Sequence, residues 1–219
     1  WIYRLIMIEL YDYELSGNCY KIRLMLSFLK LDYLSKKIEF HPGKEHKSEN
    51  FLDINPLGQL PVLSDSKLIL RDAQAILVYL ARKYDENNVW YPIDEPEKVG
   101  FISQWLSFGD LITGSSSAAR LHDTLFYNEF NVEQCRERAH TQFRILDEHL
   151  FFQEQLNQSW ICDGEAPTIA DIACFPYIAL SEEGGISRIS YPAIRRWMDR
   201  FKRINGFVVM PGVFPAGPK

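Results

Sequence analysis

The chain has 219 residues, 47% of them hydrophobic, which is enough to bury a sizeable core in one or two domains. Its 24 basic and 29 acidic residues give a net charge of −5 without a dense basic run, which argues against nucleic acid or a membrane surface as a partner. The five histidines and four cysteines show neither metal-ligand spacing nor a Cys-x-x-Cys pair, so we expect no metal and a reducing, cytoplasmic compartment.

The first 84 residues predict a small α/β unit. Residues 1–6 are apolar but far too short to span a bilayer, and we interpret them as an extension without function. A βαβ unit followed by a ββα unit is typical of a mixed sheet with helices on its faces, so we expect a thioredoxin-like domain over residues 7–84. The predicted elements are strand 7–11, a largely buried helix after the Ser16-Gly17 turn, strand 33–40, strands 62–63 and 68–70, and helix 73–84.

The second half of the chain predicts only helices. Residues 85–95 are polar and rich in turn formers, and we interpret them as a linker. Thr168 and Asp171 have the spacing of a capping box, which we interpret as a folding device. Together these features predict an all-helical domain over residues 96–210, with helices near 96–120, 131–156, 168–183 and 192–204.

Residues 55–63 read as a turn followed by a strand. Two prolines five positions apart flank Gly58, and Pro61 opens a Val-Leu strand. If the Leu60-Pro61 bond is cis, the backbone of Leu60 faces outward and can pair with an extended peptide. A small peptide is then the implied ligand, whereas an ordinary trans turn would imply none.

Three segments, in order, resemble the glutathione-binding half of cytosolic glutathione transferases: 43–47 (GKEHK), 51–63 (FLDINPLGQLPVL) and 72–76 (DAQAI). The resemblance extends upstream through residues 16–23 (SGNCYKIR) and downstream to the end of the chain, and it is strongest to the phi, theta and related bacterial branches, which use serine. It implies a cis Leu60-Pro61 bond, glutathione as co-substrate, a small electrophile as second substrate, and a homodimer in which each first domain meets the partner's helical domain.

Ser16 is the candidate catalytic residue under this resemblance. It precedes the first helix, where its hydroxyl and the N-H groups of the first helical turn would face an anion. Lowering a thiol pKa of about 8.5 by two units requires about 2.7 kcal/mol, and one hydrogen bond to a charged group supplies about 1.5 to 3 kcal/mol. Ser16 can therefore ionise the thiol of glutathione, unless it merely caps the helix.

The resemblance also assigns the tripeptide contacts. His46 and Lys47 would supply positive charge to the glycine carboxylate, while Gln59, Leu60 and Pro61 would hold the middle of the tripeptide. His46 and Lys47 precede the 55–63 segment, whereas Gln59, Leu60 and Pro61 belong to it.

The resemblance places the binding site for the γ-glutamyl group of glutathione at Asp72-Ala73, where the family has an acid followed by serine. Asp72 can still bind the ammonium group, but Ala73 offers only a backbone N-H where a hydroxyl is expected. Losing that bond would cost about 1.5 to 3 kcal/mol, so we expect weakened affinity unless Gln74 compensates.

The second-substrate pocket is placed by the same resemblance at Tyr13, Leu15, Phe108, Leu111 and Arg120, with the segment from Thr113 through serines 115–117 nearby. An aromatic stripe there is more often part of a core, and Arg120 with serines 115–117 would equally suit a polar electrophile, so no particular electrophile is indicated.

Three functions follow as hypotheses. The first is a glutathione transferase that conjugates glutathione to an electrophile. The second is a binding or scaffold protein that keeps the fold without turnover, which Ala73 favours. The third is a glutathione-dependent disulfide or peroxide reductase. Cys19 lies three residues after Ser16, in the register of a Cys-x-x-Cys whose first cysteine is replaced, and we expect it to be buried and inert.

Overall fold

Four strands form one mixed sheet in the first half of the chain. The structure is a computed structural model that describes residues 8–129 and 131–218, so the extension proposed for residues 1–6 lies outside the described residues. The strand order is β2-β1-β3-β4, with β1 parallel to β2 and antiparallel to β3, and with β4 antiparallel to β3. The strands are β1 Ile8–Asp12, β2 Tyr33–Lys37, β3 Val62–Asp65 and β4 Leu68–Leu70. This is the thioredoxin-like arrangement that the sequence predicted.

Three helices pack with this sheet: α1 Gly17–Phe28, α2 Glu49–Ile54 and α3 Ala73–Tyr84. The sequence predicted α1 and α3 but missed α2 and the 3-10 turn Glu45–Lys47 before it. The signal for α2 is Ser48, whose Oγ caps the helix by accepting the Phe51 N-H at 3.3 Å. A helix of six residues is too short for apolar periodicity to reveal it.

The second half is helical, as predicted, and none of the described helices is long and apolar enough to cross a lipid bilayer. Its helices are α4 Pro96–Ile112, α5 Ala118–Leu125, α6 Val132–Gln155, α7 Ile169–Ala179 and α8 Pro192–Phe201. A π-helical turn, Thr113–Ser117, joins α4 to α5, so the first predicted helix of this domain extends to Leu125. Residues 85–95 form neither helix nor strand.

Helix α7 is the centre of the core and packs against α1 and α4, where the two halves of the chain meet. All of its residues are buried. The capping box at its start is present, and Asp171 also accepts the indole N-H of Trp197 at 2.8 Å and the backbone N-H of Ile161 at 3.1 Å. These bonds offset the cost of burying a carboxyl group, whose pKa is raised by desolvation. The capping box therefore fixes α7, and with it the wall of the cleft described next.

Candidate functional site

A cleft of about 650 Å³ opens between the two domains. Its walls come from the start of α1, the loop ahead of β3, the start of α3, the α4–α5 segment and α7. The residues that line it are Tyr13, Leu15, Ser16, Asn18, Phe40, Gln59, Leu60, Asp72, Asp110, Thr113, Ser117, Arg120, Leu121, Thr124, Leu125, Tyr177, Glu183 and Pro211.

Ser16 is the N-cap of α1 and also lines the cleft. Its Oγ accepts the Cys19 N-H at 3.2 Å, and its carbonyl accepts the Tyr20 N-H at 2.9 Å. A hydroxyl that accepts one hydrogen bond still has its own proton to donate. Because Ser16 is half-buried at the cleft wall, capping the helix does not prevent it from donating to a bound anion.

A second hydroxyl reaches the first turn of α1 from the helical domain. The Tyr177 hydroxyl accepts the Asn18 N-H at 3.2 Å. The N-H groups of Asn18 and Cys19 therefore both have side-chain partners, and the expectation that they would face an anion directly is wrong. An anion placed here meets hydroxyl groups first.

The loop ahead of β3 presents its backbone to the cleft. Leu60-Pro61 is cis, as the sequence analysis expected, and Gln59 and Leu60 line the cleft, while Pro61 is buried. Asn55, itself fully buried, holds the loop by donating from its side-chain amide to the Gln59 carbonyl at 2.8 Å. Gly58 has a φ of +56°, and a Cβ at this position would lie 2.8 Å from the backbone oxygen of His46, so the loop requires glycine.

His46 and Lys47 lie behind this loop and not in the cleft lining. The His46 ring is 3% exposed and stacks on Phe40 with 4.1 Å between ring centroids. Burial, followed by the charges of Lys47 and Lys44, lowers the pKa of His46. The Lys47 amine donates to the Leu57 carbonyl at 3.2 Å. His46 therefore supports Phe40 as a neutral ring, unlike the charged donor that the sequence predicted.

Asp72 lines the cleft and caps α3, accepting the Ala75 N-H at 2.8 Å. Ala73 is buried beneath it. Gln74 is also buried and donates its side-chain amide to Asp110, so it does not replace the missing serine hydroxyl. Asp110, from α4, adds a second carboxylate to this part of the cleft, and burial raises its pKa.

A buried cation lies behind these carboxylates. Lys21 of α1 is 0% exposed, and its amine donates to the Thr113 hydroxyl at 3.4 Å. Desolvation lowers the pKa of Lys21 to about 8, against the opposing charges of Asp110 and Asp72. The end of the cleft at Asp72 and Asp110 is therefore acidic at its surface and basic beneath.

Only some of the residues predicted for a second-substrate pocket line the cleft. Tyr13, Leu15 and Arg120 line the cleft. Phe108 instead packs edge-on against Trp105, and Leu111 is 57% exposed outside the cleft. These two residues are turned away because α4 presents Asp110 to the cleft, and positions one and two residues away lie on other faces of a helix with 3.6 residues per turn.

The Arg120 guanidinium group is held by hydrogen bonds to two neighbouring segments and has a structural role. Its Nε donates to the Glu183 carboxylate at 2.5 Å, and a terminal nitrogen donates to the Leu15 carbonyl at 2.7 Å. Arg120 is 8% exposed, so its guanidinium group is largely shielded from water, whereas the Glu183 side chain is 33% exposed. Arg120 therefore fixes the segment that carries Ser16.

Comparison with known proteins identifies the family. The family model for the glutathione S-transferase N-terminal domain matches residues 7–82, and the model for the glutathione S-transferase C-terminal domain matches residues 101–205. The chain belongs to the glutathione transferase family. It is 26% identical to glutathione S-transferase 1 of Manduca sexta over 205 residues, which are 91% of this chain and 89% of that protein.

Solved structures agree with this membership. The glutathione S-transferase of Pseudomonas fluorescens is 28% identical, has a TM-score of 0.82, and the match covers 93% of this chain and 98% of that one. A glutathione transferase homologue of Lodderomyces elongisporus, solved with two glutathione molecules per subunit, is 23% identical and shares the fold with a TM-score of 0.82, over 92% and 96% of the two chains.

Of the polar residues that line this family member's cleft, sequence reasoning missed Asp110, Thr124, Tyr177 and Glu183. Asp110 lies three residues before Thr113 and so on the same side of α4, which was a usable signal. Tyr177 falls in the apolar run 172–180 and reads as core, and it is indeed only 6% exposed. Only its neighbours in space, at the start of α1, distinguish it from a core tyrosine.

Proposed function

We propose that the protein is a serine-type glutathione transferase that ionises the glutathione thiol at Ser16 and conjugates it to a small electrophile. The observation that carries this proposal is the convergence of three groups on one cleft: the Ser16 hydroxyl, the backbone of Leu60 and the Asp72 carboxylate. These groups match, in order, the thiol, the peptide backbone and the ammonium group of an extended γ-glutamyl tripeptide. The phi and theta-like branch assignment rests on the serine and belongs to this proposal.

Glutathione would lie along the loop ahead of β3. Its ammonium group would sit between Asp72 and Asp110, since two carboxylates attract one cation at that end. Its cysteinyl backbone would pair with Leu60, beside Gln59. Lys47 is exposed, and its amine already donates to the Leu57 carbonyl of that loop at 3.2 Å, so Lys47 would meet the glycine carboxylate, and His46 would act through the ring of Phe40.

The chemistry needs only a nucleophile and a shielded electrophile. The thiol proton leaves to solvent, the sulfur forms a bond to an electrophilic carbon, and the leaving group departs with the bonding electron pair. Tyr13, Leu15, Leu121 and Leu125 offer an apolar wall for the electrophile on the far side of the sulfur position. Holding both reactants in this cleft supplies orientation in addition to ionisation.

The test is calorimetric titration with glutathione, followed by a conjugation assay with an electron-poor aryl chloride. Binding together with conjugation supports the proposal. Binding without conjugation of any electrophile would favour the scaffold alternative, to which Ala73 points. Absence of binding would overturn both.

The reductase alternative is tested by mass spectrometry after incubation with oxidised glutathione. In the part of the chain that the structure describes, all four cysteines are buried and unpaired. Burial raises the pKa of Cys19 to about 12, so it is a poor nucleophile at neutral pH. We expect no mixed disulfide on Cys19.

We further propose a cytoplasmic homodimer in which β4 of each first domain meets α4 of the partner's helical domain. Apolar side chains are exposed on both elements: Leu68 and Ile69 on β4, and Phe101 and Leu111 on α4, with exposed fractions from 36% to 57%. Light scattering should give twice the chain mass of 25.6 kDa at micromolar concentration, and a species at the chain mass alone would refute the dimer.

A further inference from the structure

Tyr177 is held against the start of α1 from the other domain. If Gly17 carried a Cβ, that atom would lie 2.7 Å from two carbons of the Tyr177 ring, so the ring rests directly on the helix backbone. The Ser116 hydroxyl donates to the Tyr177 carbonyl at 2.6 Å, which ties α7 to the π-helical turn. The Lys21 amine lies 5.7 Å from the ring centroid. The ring is therefore fixed in place before any ligand binds.

The Tyr177 hydroxyl is oriented by the helix it touches. Its oxygen accepts the Asn18 N-H at 3.2 Å, and the Ser16 oxygen accepts the next N-H along, that of Cys19, at 3.2 Å. Two hydroxyl groups, one from each domain, thus accept hydrogen bonds from consecutive N-H groups of one helical turn. Both residues line the cleft. Each oxygen that accepts such a bond keeps a proton to donate, and hydrogen bonds in series strengthen one another.

We propose that the Tyr177 hydroxyl is a second hydrogen-bond donor to the glutathione thiolate, so that the sulfur is held between Ser16 of the first domain and Tyr177 of the helical domain. This inference rests on the proposed function, because it presumes that glutathione places its sulfur at Ser16. It makes Tyr177 a catalytic residue for the ionisation step.

Two further features fit this role. Burial raises the pKa of Tyr177, so the hydroxyl keeps its proton at neutral pH and acts as a donor. The ring is 6% exposed, so a bond from its hydroxyl to a thiolate would be shielded from water. A donor supplied by the second domain also makes thiol ionisation depend on correct packing of α7 against α1.

The experiment compares Tyr177→Phe with the parent protein by following the thiolate absorbance of bound glutathione against pH. Tyr177→Phe keeps the ring on Gly17 and removes only the hydroxyl. We expect the pKa of the bound thiol to rise by about one to two units and kcat/KM near neutral pH to fall about ten-fold or more, with recovery as the pH is raised. Glutathione affinity, measured by calorimetry below the thiol pKa, should change less than two-fold to three-fold, since Tyr177 contacts only the sulfur.

The matched control is Tyr191→Phe. Tyr191 is also buried, at 8% exposure, and its hydroxyl bonds to His140 far from the cleft. It should lose stability comparably and leave the thiol titration unchanged. If Tyr177→Phe does not fold, Gly17→Ala decides the matter, because the added methyl group displaces the ring while retaining the hydroxyl, and it should raise the thiol pKa as well.

An unshifted thiol titration in a folded Tyr177→Phe protein, with a shift in Ser16→Ala, would overturn this inference and leave the proposed function standing. A parent protein that binds no glutathione would overturn the proposed function, and the role of Tyr177 with it.

Discussion

Replacing Lys21 with methionine should stabilise the protein at neutral pH and not in alkali. Lys21 is fully buried, and its pKa falls from 10.5 to about 8 on folding. A difference of about 2.5 units corresponds to about 3 kcal/mol at 1.36 kcal/mol per unit. Between these two pKa values the unfolded chain binds the proton and the folded chain does not, so raising the pH favours the folded state. The free-energy cost of burying Lys21 is therefore present in full below pH 8 and disappears as the pH approaches 10.5.

The assay is urea unfolding of Lys21→Met and the parent protein at pH 7 and pH 10, without glutathione. The advantage of the variant should shrink by about 2 to 3 kcal/mol between the two pH values. Titration of the other buried tyrosines and cysteines cancels in the difference, and Cys174, whose pKa the Lys21 charge lowers, stays a thiol in both folded proteins because burial raises its pKa far above the usual range. The control is Lys67→Met, at an exposed turn, whose free energy of unfolding should change with pH as that of the parent protein does. An advantage of Lys21→Met that is the same at both pH values would refute the assignment of a buried, charged lysine behind the cleft.

Two substitutions test the contacts around the tripeptide. Ala73→Ser should tighten glutathione binding about ten-fold or more by calorimetry, because it restores a donor next to Asp72; unchanged affinity would mean that the γ-glutamyl carboxylate already has its donors. Arg120→Lys should lower turnover of an electron-poor aryl chloride with little effect on glutathione affinity, because an ammonium group does not reproduce the fork that holds both Glu183 and Leu15. Full turnover in Arg120→Lys would show that the segment carrying Ser16 does not need the two hydrogen bonds of Arg120.

Most of the fold was predicted from the periodicity of apolar residues and from turn and capping residues. The strands, α1, α3 and the helical second half were predicted because alternating or helical apolar patterns extend over several residues in each, and the capping box at Thr168 marked the start of α7. Helix α2 was missed because one N-cap serine is a weak signal beside a run of charged residues. The π-helical turn was missed because nothing in Thr113–Ser117 distinguishes it from continued helix.

Several residues that line the cleft were predicted from motifs local in sequence, whereas a contact made only in space was missed. Ser16, Leu60 and Asp72 belong to local motifs and do line the cleft. The resemblance assigned His46 a positive charge for the glycine carboxylate, whereas stacking on Phe40 buries the ring. Tyr177 joins Ser16 across 161 positions of sequence (177 minus 16), which no pattern in a single sequence reports.

The central claim is that Ser16 ionises glutathione, and the thiolate absorbance of bound glutathione against pH tests it most directly. Ser16→Ala removes both a donor and a helix cap, so the matched control is Asn131→Ala, which removes the cap of α6 where Asn131 accepts the Gln134 N-H at 3.1 Å. Each variant should lose about 1 kcal/mol of stability through its cap. Ser16→Ala alone should raise the pKa of the bound thiol by about one to two units and lower activity near neutral pH about ten-fold or more. A thiol titration in Ser16→Ala that superimposes on those of the parent and Asn131→Ala would contradict the claim and leave Ser16 as a helix cap.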